Sequence, residues 1–319
     1  MWSFRFNLKY LFIEKELDMQ SVSYQAEKIA DSNGLKINYD SFGNEGDPVI
    51  LLIMGLATQM IYWDEDFCRN LASQGFWVIR FDNRDVGKST WLNGVTKPST
   101  LALVTNAVFG RPVGAAYLLD DMVADTLGLM DALNIKQANV VGASMGGMIA
   151  QALAIKAPDR VSSLTSIMST TGDRSLPKPS MRFGLKLFGA KPNGEEAILA
   201  HSLNVWKILH GEHYDFDPQR ITEQIKRAAS RGLNLPGTSR QLAAIIDSPD
   251  RTSSLKRLDV PSLVIHGDTD PLVPVSGGYA TANAIPNAKL KICKGMGHTI
   301  PQALHSEICE AIIDNINAS

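Results

Sequence analysis

The sequence predicts an α/β fold: a mostly parallel central sheet covered by helices on both faces. Three observations carry that expectation. Short apolar runs bounded by turn residues, such as "PVILLIMG" (Pro48 to Gly55) and "SLVIHG" (Ser262 to Gly267), have the composition of strands buried on both sides. Segments with apolar residues at helical spacing separate those runs. The alternation stops between about Thr171 and Arg257 and then resumes, as expected of one core that carries an insertion. At 319 residues the chain is near the upper limit of what a single hydrophobic core supports, so one large domain with an insertion is the natural expectation.

The elements follow in order. Gln25 to Phe42 reads as two short strands joined at Ser32-Asn33-Gly34, because Asn-Gly supplies the positive φ of a tight hairpin. The apolar run Pro48 to Gly55 is a strand, Asp64 to Gln74 a helix and "FWVIRFD" (Phe76 to Asp82) another strand. Tyr117 to Ile135 has helical periodicity. A strand ending at Gly142 leads into a helix from about Met145 to Ala157, which Pro158 closes, and "VSSLTSIMS" is the next strand. After the interruption come Ser262 to Gly267 as a strand and Gly277 to Ala284 as a helix. "AKLKICKG" is the last strand, and the last helix spans about Gln302 to Ile316. The interruption contains helical patterns at Glu195 to Leu209 and Asp217 to Arg231, together with the breakers "LPKP" and "KPNG". The expected division is therefore an α/β core over 19–171 and 257–319 and an all-helical cap over 172–256. The first 18 residues lack the continuous apolar stretch and small-residue cleavage site of a secretory signal. They are expected to be dispensable, with Met19 as the working start.

Composition narrows the function classes. Hydrophobic residues make up 45% and charged residues 20%, the formal charge is −2, and no long charge block occurs. A dedicated nucleic-acid or anionic-membrane surface is not expected. No run of about 18 apolar residues is present, so no transmembrane segment is predicted. The three cysteines, Cys68, Cys293 and Cys309, are widely spaced and form no CxxC, which argues for a reduced, cytoplasmic setting rather than a disulfide framework.

The chemistry is expected at Gly142-Ala143-Ser144-Met145-Gly146. G-x-S-x-G alone arises by chance in about one chain in ten of this length. Here it lies where a strand turns into a helix, the context of a nucleophile elbow, in which a strained turn lifts a serine hydroxyl clear of the sheet. Gly142, Gly146 and Gly147 leave room for that turn. A serine hydroxyl is a weak nucleophile without a base, and the base needs an orienting carboxylate. Of six histidines (His201, His210, His213, His266, His298 and His305), His298 fits best, in "KGMGHTIP" between the last strand and the last helix. His305 lies in that helix as a surface or packing residue, and His266 ends a strand and is expected to be buried. The acid is sought in "HGDTDPLVP": Asp270 is preferred because it can reach across the loop, with Asp268 as the alternative. The order Ser144, Asp270, His298 matches the chain order of this site class.

"VVGASMGGMIAQ", "HGDTDPLVP", "GMGHTIP" and "DNRDVGKST" together resemble the motifs of the α/β-hydrolase fold superfamily. They are most similar to its esterase, enol-lactonase and cofactor-free haloperoxidase branch. Asp85 and Thr90 are similar to the aclacinomycin methylesterase-like group. The likeness runs from about Gln25 to the C-terminus outside the cap. It implies a serine hydrolase acting on small-molecule carboxylic esters through an acyl-enzyme, without cofactor or metal, as a monomer or homodimer. It also implies oxyanion donors at the backbone N–H groups of Leu56 and Met145. One departure stands out: members commonly carry His-Gly in the oxyanion loop, whereas this chain has Met54-Gly55. The polar brace of that loop is then unaccounted for, and Met54 is expected to make the pocket rim apolar.

Other readings keep part of the pattern. A lactonase, C–C hydrolase or perhydrolase would retain Ser144, whereas a haloalkane dehalogenase or epoxide hydrolase would need aspartate there. A non-catalytic binding protein for a small ligand is the reading of a different class. "HGEHYDFD" (His210 to Asp217) resembles a metal cluster only in composition and fits no ligand spacing, so a polar loop is expected. Met181, Phe183, Phe188 and Trp206 are candidates for an acyl pocket or for the core of the cap. Arg84 and Lys88 could bind a substrate carboxylate, but Arg84 is expected to tie strand ends together.

Overall fold

The computed structural model describes residues 21–177, 179 and 193–318. The extension over 1–18, Met19, and the pocket candidates Met181, Phe183 and Phe188 lie outside them. Eight strands form one sheet: β1 (Tyr24–Ser32), β2 (Leu35–Phe42), β3 (Val49–Ile53), β4 (Trp77–Phe81), β5 (Ala138–Ala143), β6 (Val161–Ile167), β7 (Ser262–Gly267) and β8 (Lys289–Cys293). Their order across the sheet is β1-β2-β4-β3-β5-β6-β7-β8. The β1–β2 and β2–β4 pairs are antiparallel and the remaining pairs are parallel. The hairpin forms at Asn33-Gly34, both with positive φ, as the Asn-Gly pair predicts.

The apolar runs are buried on two sides. In β3, Val49, Leu51 and Ile53 join one apolar cluster while Ile50 and Leu52 join the other. All five are strand residues and all are buried. Each such side chain contributes about 1.5–3 kcal/mol over leaving it in water. The helix α1 (Glu65–Ala72), with Asp64 capping its first turn, lies on the second cluster. After α2 (Thr100–Phe109), the helices α3 (Leu119–Ala132) and α4 (Met145–Lys156) cover the first cluster. The antiparallel edge is pinned by an ion pair: Arg80 and Asp40 are register partners, and the Arg80 guanidinium donates to both carboxylate oxygens at 2.7 and 2.8 Å.

Between β6 and β7 the regular elements among the described residues are helices: α5 (Glu195–His210), α6 (Pro218–Arg231), α7 (Leu235–Asp247) and the short α8 (Thr252–Leu255). After β7 come α9 (Ser276–Ala284), β8 and α10 (His305–Ile316), the last preceded by a 3-10 turn at Gln302–Leu304. Helix α2 has no counterpart in the sequence reading, whereas α7 and α8 lie inside the expected helical insertion without individual ranges there. The sequence of α2 is apolar with no strong face, so periodicity gave no signal, although Ser99 caps it and Gly110 ends it in the left-handed conformation. The start of α7 looks like a loop because of Pro236 and Gly237, but Pro sits in the first turn, where its missing N–H costs nothing, and Asn234 caps it.

The inter-strand helices are tied to the core through the loop after β4. Arg231 on α6 pairs with Asp82 and Glu27, and its Nε donates to Gln59 Oε1 at 2.8 Å. Arg240 on α7 grips Asp85 through two hydrogen bonds of 2.8 and 2.6 Å. Burial pushes the Asp85 carboxyl pKa up, but Arg240, the Leu92 N–H and the Tyr117 hydroxyl together outweigh it and hold the group below the ordinary carboxylate range. Removing one partner strands a buried charge. Arg240→Met is expected to lower the unfolding free energy by about 3 kcal/mol in urea denaturation, and Asp85→Asn in the same chain to restore part of it, because the amide removes the stranded charge and keeps an acceptor for the Leu92 N–H. A loss below about 1 kcal/mol in the single variant would show that the pair does not hold these helices down.

Candidate active site

Ser144 stands at the junction of β5 and α4, at the carboxyl end of the sheet. Its φ and ψ of 56° and −120° are strained for a residue with a Cβ, which is the expected elbow. The strain is held from several sides. The Ser144 N–H donates to Ile167 O at 2.9 Å, and its carbonyl accepts from the Ser169 hydroxyl at 2.8 Å and from the Met148 N–H at 3.2 Å. A Cβ on Gly142 would collide with the Gly146 carbonyl, and one on Gly146 with the Ile53 carbonyl. Glycine at both positions is thus a matter of space.

His298 and Asp270 meet Ser144 here. The three residues lie in loops after β8, β7 and β5. His298 Nε2 is 2.9 Å from Ser144 Oγ, and His298 Nδ1 is 2.6 Å from Asp270 Oδ2. The other carboxylate oxygen of Asp270 accepts the N–H groups of Leu272 and Val273, both at 2.8 Å. That arrangement fixes the carboxylate and leaves Oδ2 for the ring. Asp268 does something else: it is exposed and accepts the Gly295 N–H at 2.6 Å, joining two loops. His266 is fully buried, as expected, with Nε2 2.8 Å from Val273 O. Burial depresses its pKa, so the ring is held neutral beside Asp270.

Neighbouring strands β3 and β5 bring a second loop to the serine. Ile53 is the register partner of Gly142, and a Cβ on Gly55 would lie 3.1 Å from the Ser144 Cβ. The N–H groups of Leu56 and Met145 have no acceptor among the described residues. Met54 is buried within the second apolar cluster, so it does not form an apolar rim.

Other expectations are redirected. Arg84 does not tie strand ends together: it grips Asp125 on α3 at 2.5 and 2.6 Å, so it joins the loop to a helix. Lys88 pairs with Glu27 at 2.7 Å. Thr90 ties the same loop to β2, accepting the Lys36 N–H at 2.8 Å. In the His210–Asp217 stretch, the His210 ring bonds the Thr299 hydroxyl at 3.0 Å and Asp217 caps α6. Trp206 on α5 is half-buried and stacks at 4.7 Å on Tyr62, which belongs to the 3-10 turn after β3. His305 packs edge-on against Phe67. Gly297, just before His298, makes space for α5: a Cβ there would strike the Leu209 carbonyl, which accepts the His298 N–H at 2.6 Å.

The sequence profile of the alpha/beta hydrolase fold matches residues 48–301. The chain belongs to the α/β-hydrolase family. Within that family it is 28% identical over 303 residues to a rhodomycin D methylesterase of Streptomyces sp. (strain C5), covering 88% of this chain and 94% of the relative. It is 30% identical over 243 residues to a 2-hydroxymuconate semialdehyde hydrolase of Pseudomonas sp. (strain CF600), covering 70% and 81%. The fold is shared with the 2-hydroxy-6-oxo-6-phenylhexa-2,4-dienoate hydrolase of Rhodococcus sp. strain RHA1, with a TM-score of 0.71, 18% identity and coverage of 94% and 100%. The likeness to methylesterases read from Asp85 and Thr90 agrees with the first of these relatives. In this α/β-hydrolase, reading the sequence missed the residues that brace the site from afar, Arg231, Arg240 and Gln241. Their partners lie some 150 residues away, and no local pattern marks them.

Proposed function

We propose that this α/β-hydrolase is a serine esterase that cleaves small to medium carboxylic esters, with Ser144 as nucleophile, His298 as general base and acid, and Asp270 as the orienting carboxylate. The observation that carries the reading is the unbroken hydrogen-bond chain from Asp270 through both ring nitrogens of His298 to the Ser144 hydroxyl. His298 takes the hydroxyl proton as Ser144 attacks the ester carbonyl. The N–H groups of Leu56 and Met145 hold the resulting oxyanion, and their lack of competing acceptors among the described residues supports that role. His298 then protonates the leaving alcohol and activates the water that releases the acid. Asp270 keeps Nδ1 protonated and stabilises the imidazolium. No step calls on a metal or organic cofactor. The helices between β6 and β7 act as a cap that bounds the acyl or alcohol pocket. The rhodomycin D methylesterase relatives make methyl esters the first substrate class to test.

A fluorophosphonate probe is expected to modify the folded protein once, at Ser144, located by peptide mass. No modification of folded protein would favour a ligand-binding module. A lactonase, C–C hydrolase or perhydrolase would also be labelled, so a parallel panel of methyl esters, lactones and vinylogous diketones, run with and without hydrogen peroxide, separates them. Turnover is expected to be greatest with the esters.

A further inference from the structure

Ala57, one residue past Leu56, has a φ of 56°, a conformation that disfavours any residue with a Cβ. The Ala57 N–H donates to Gln241 Oε1 at 2.8 Å, and Gln241 Nε2 donates to Arg84 O at 2.8 Å. Gln241 is fully buried on α7, and the residue before it, Arg240, anchors that turn of helix to Asp85. At the other end of the loop, Asn83 Nδ2 donates to Met54 O at 2.9 Å. The segment Met54–Ala57 is therefore held at both ends by side-chain amides. The methionine side chain itself offers the loop no hydrogen-bond donor and packs into the core.

We propose that Gln241 is a positioning residue for the oxyanion loop. It holds the Leu56–Ala57 peptide plane, and through it the direction of the neighbouring Leu56 N–H. The proposal rests on the reading of Ser144 as nucleophile and the Leu56 N–H as oxyanion donor. The donor's load appears only as the carbonyl oxygen becomes charged. A loosened loop therefore raises the barrier to reaction without weakening ground-state binding. The brace also arrives from the inserted helices, so their docking on the core sets the turnover number as well as the shape of the pocket.

The test compares Gln241→Leu, which keeps the volume and removes both hydrogen bonds, with Gln241→Glu, whose carboxylate still accepts from Ala57. On a p-nitrophenyl ester, the Leu variant is expected to lose about 30- to 100-fold in kcat with KM within twofold of the parent. Gln241→Glu is expected to recover at least tenfold of that loss. A kcat within threefold of the parent in folded Gln241→Leu overturns the proposal, and so does an equal loss in both variants. Should the Leu variant not fold, amide hydrogen exchange of the unaltered protein decides. The Ala57 amide is expected to exchange at least 100-fold slower than an unbonded loop amide, and exchange at the unprotected rate overturns the brace. If the parent neither hydrolyses esters nor reacts with a fluorophosphonate, the functional reading fails, while Ala57 exchange still reports on the contact itself.

Discussion

Replacing Ser144 with alanine is expected to lower kcat for p-nitrophenyl butyrate by about 10⁶-fold, because nucleophile and base act as one unit. The remaining rate would come from binding and the oxyanion donors alone. Stability should change little. Apart from its backbone bonds, the serine loses only the half-buried hydrogen bond to His298, worth about 1 kcal/mol. The backbone at residue 144 makes a second, opposite expectation. At φ 56° and ψ −120° every side chain is strained, so Ser144→Gly is expected to be equally inactive yet more stable than the alanine variant by about 1 kcal/mol. Progress curves and urea midpoints on the parent and both variants measure this. Turnover in Ser144→Ala within 100-fold of the parent would remove Ser144 from the nucleophile's role.

Asp270→Asn is expected to cost about 10³- to 10⁴-fold in kcat. An amide in that place keeps a carbonyl for the N–H groups of Leu272 and Val273. It then turns its NH2 toward His298 Nδ1, and the ring must take the tautomer with its proton on Nε2, where it cannot accept from Ser144. The charge that stabilises the imidazolium is also gone. Asp268→Asn is expected to stay within threefold of the parent. Asp268 is exposed, and an asparagine carbonyl can still accept the Gly295 N–H. A larger loss at residue 268 than at 270 would move the acid to Asp268.

Most of the sheet was legible because its signals are local. Pro48 to Gly55 and Ser262 to Gly267 announce buried strands by composition, and Asn33-Gly34 announces its turn. The hidden elements were those whose local signals conflict. Helix α2 lacks a strong apolar face, and the bounds of α7, which opens on Pro236 and Gly237, are fixed by the Asn234 cap. At the candidate site, Ser144 and His298 were marked by glycines and loop position. The reason for those glycines was only half visible, since Gly297 accommodates the Leu209 carbonyl of a distant helix. The choice between Asp268 and Asp270 turned on which carboxylate could reach an imidazole 28 residues on, a distance that sequence does not encode.

By itself, then, the sequence determined the α/β alternation, the strand-turn-helix context of Ser144, and the chain order of the candidate residues Ser144, Asp270 and His298, because spacing and composition act between near neighbours. Tertiary structure alone decided which carboxylate meets His298 and that Met54 points into the core. It alone set Arg84 on a helix carboxylate and joined Arg231, Arg240 and Gln241 to loops about 150 residues away. A buried charge or amide must find a partner, but any loop that the fold brings near can supply one, so the partner's identity is fixed only once the chain has closed on itself.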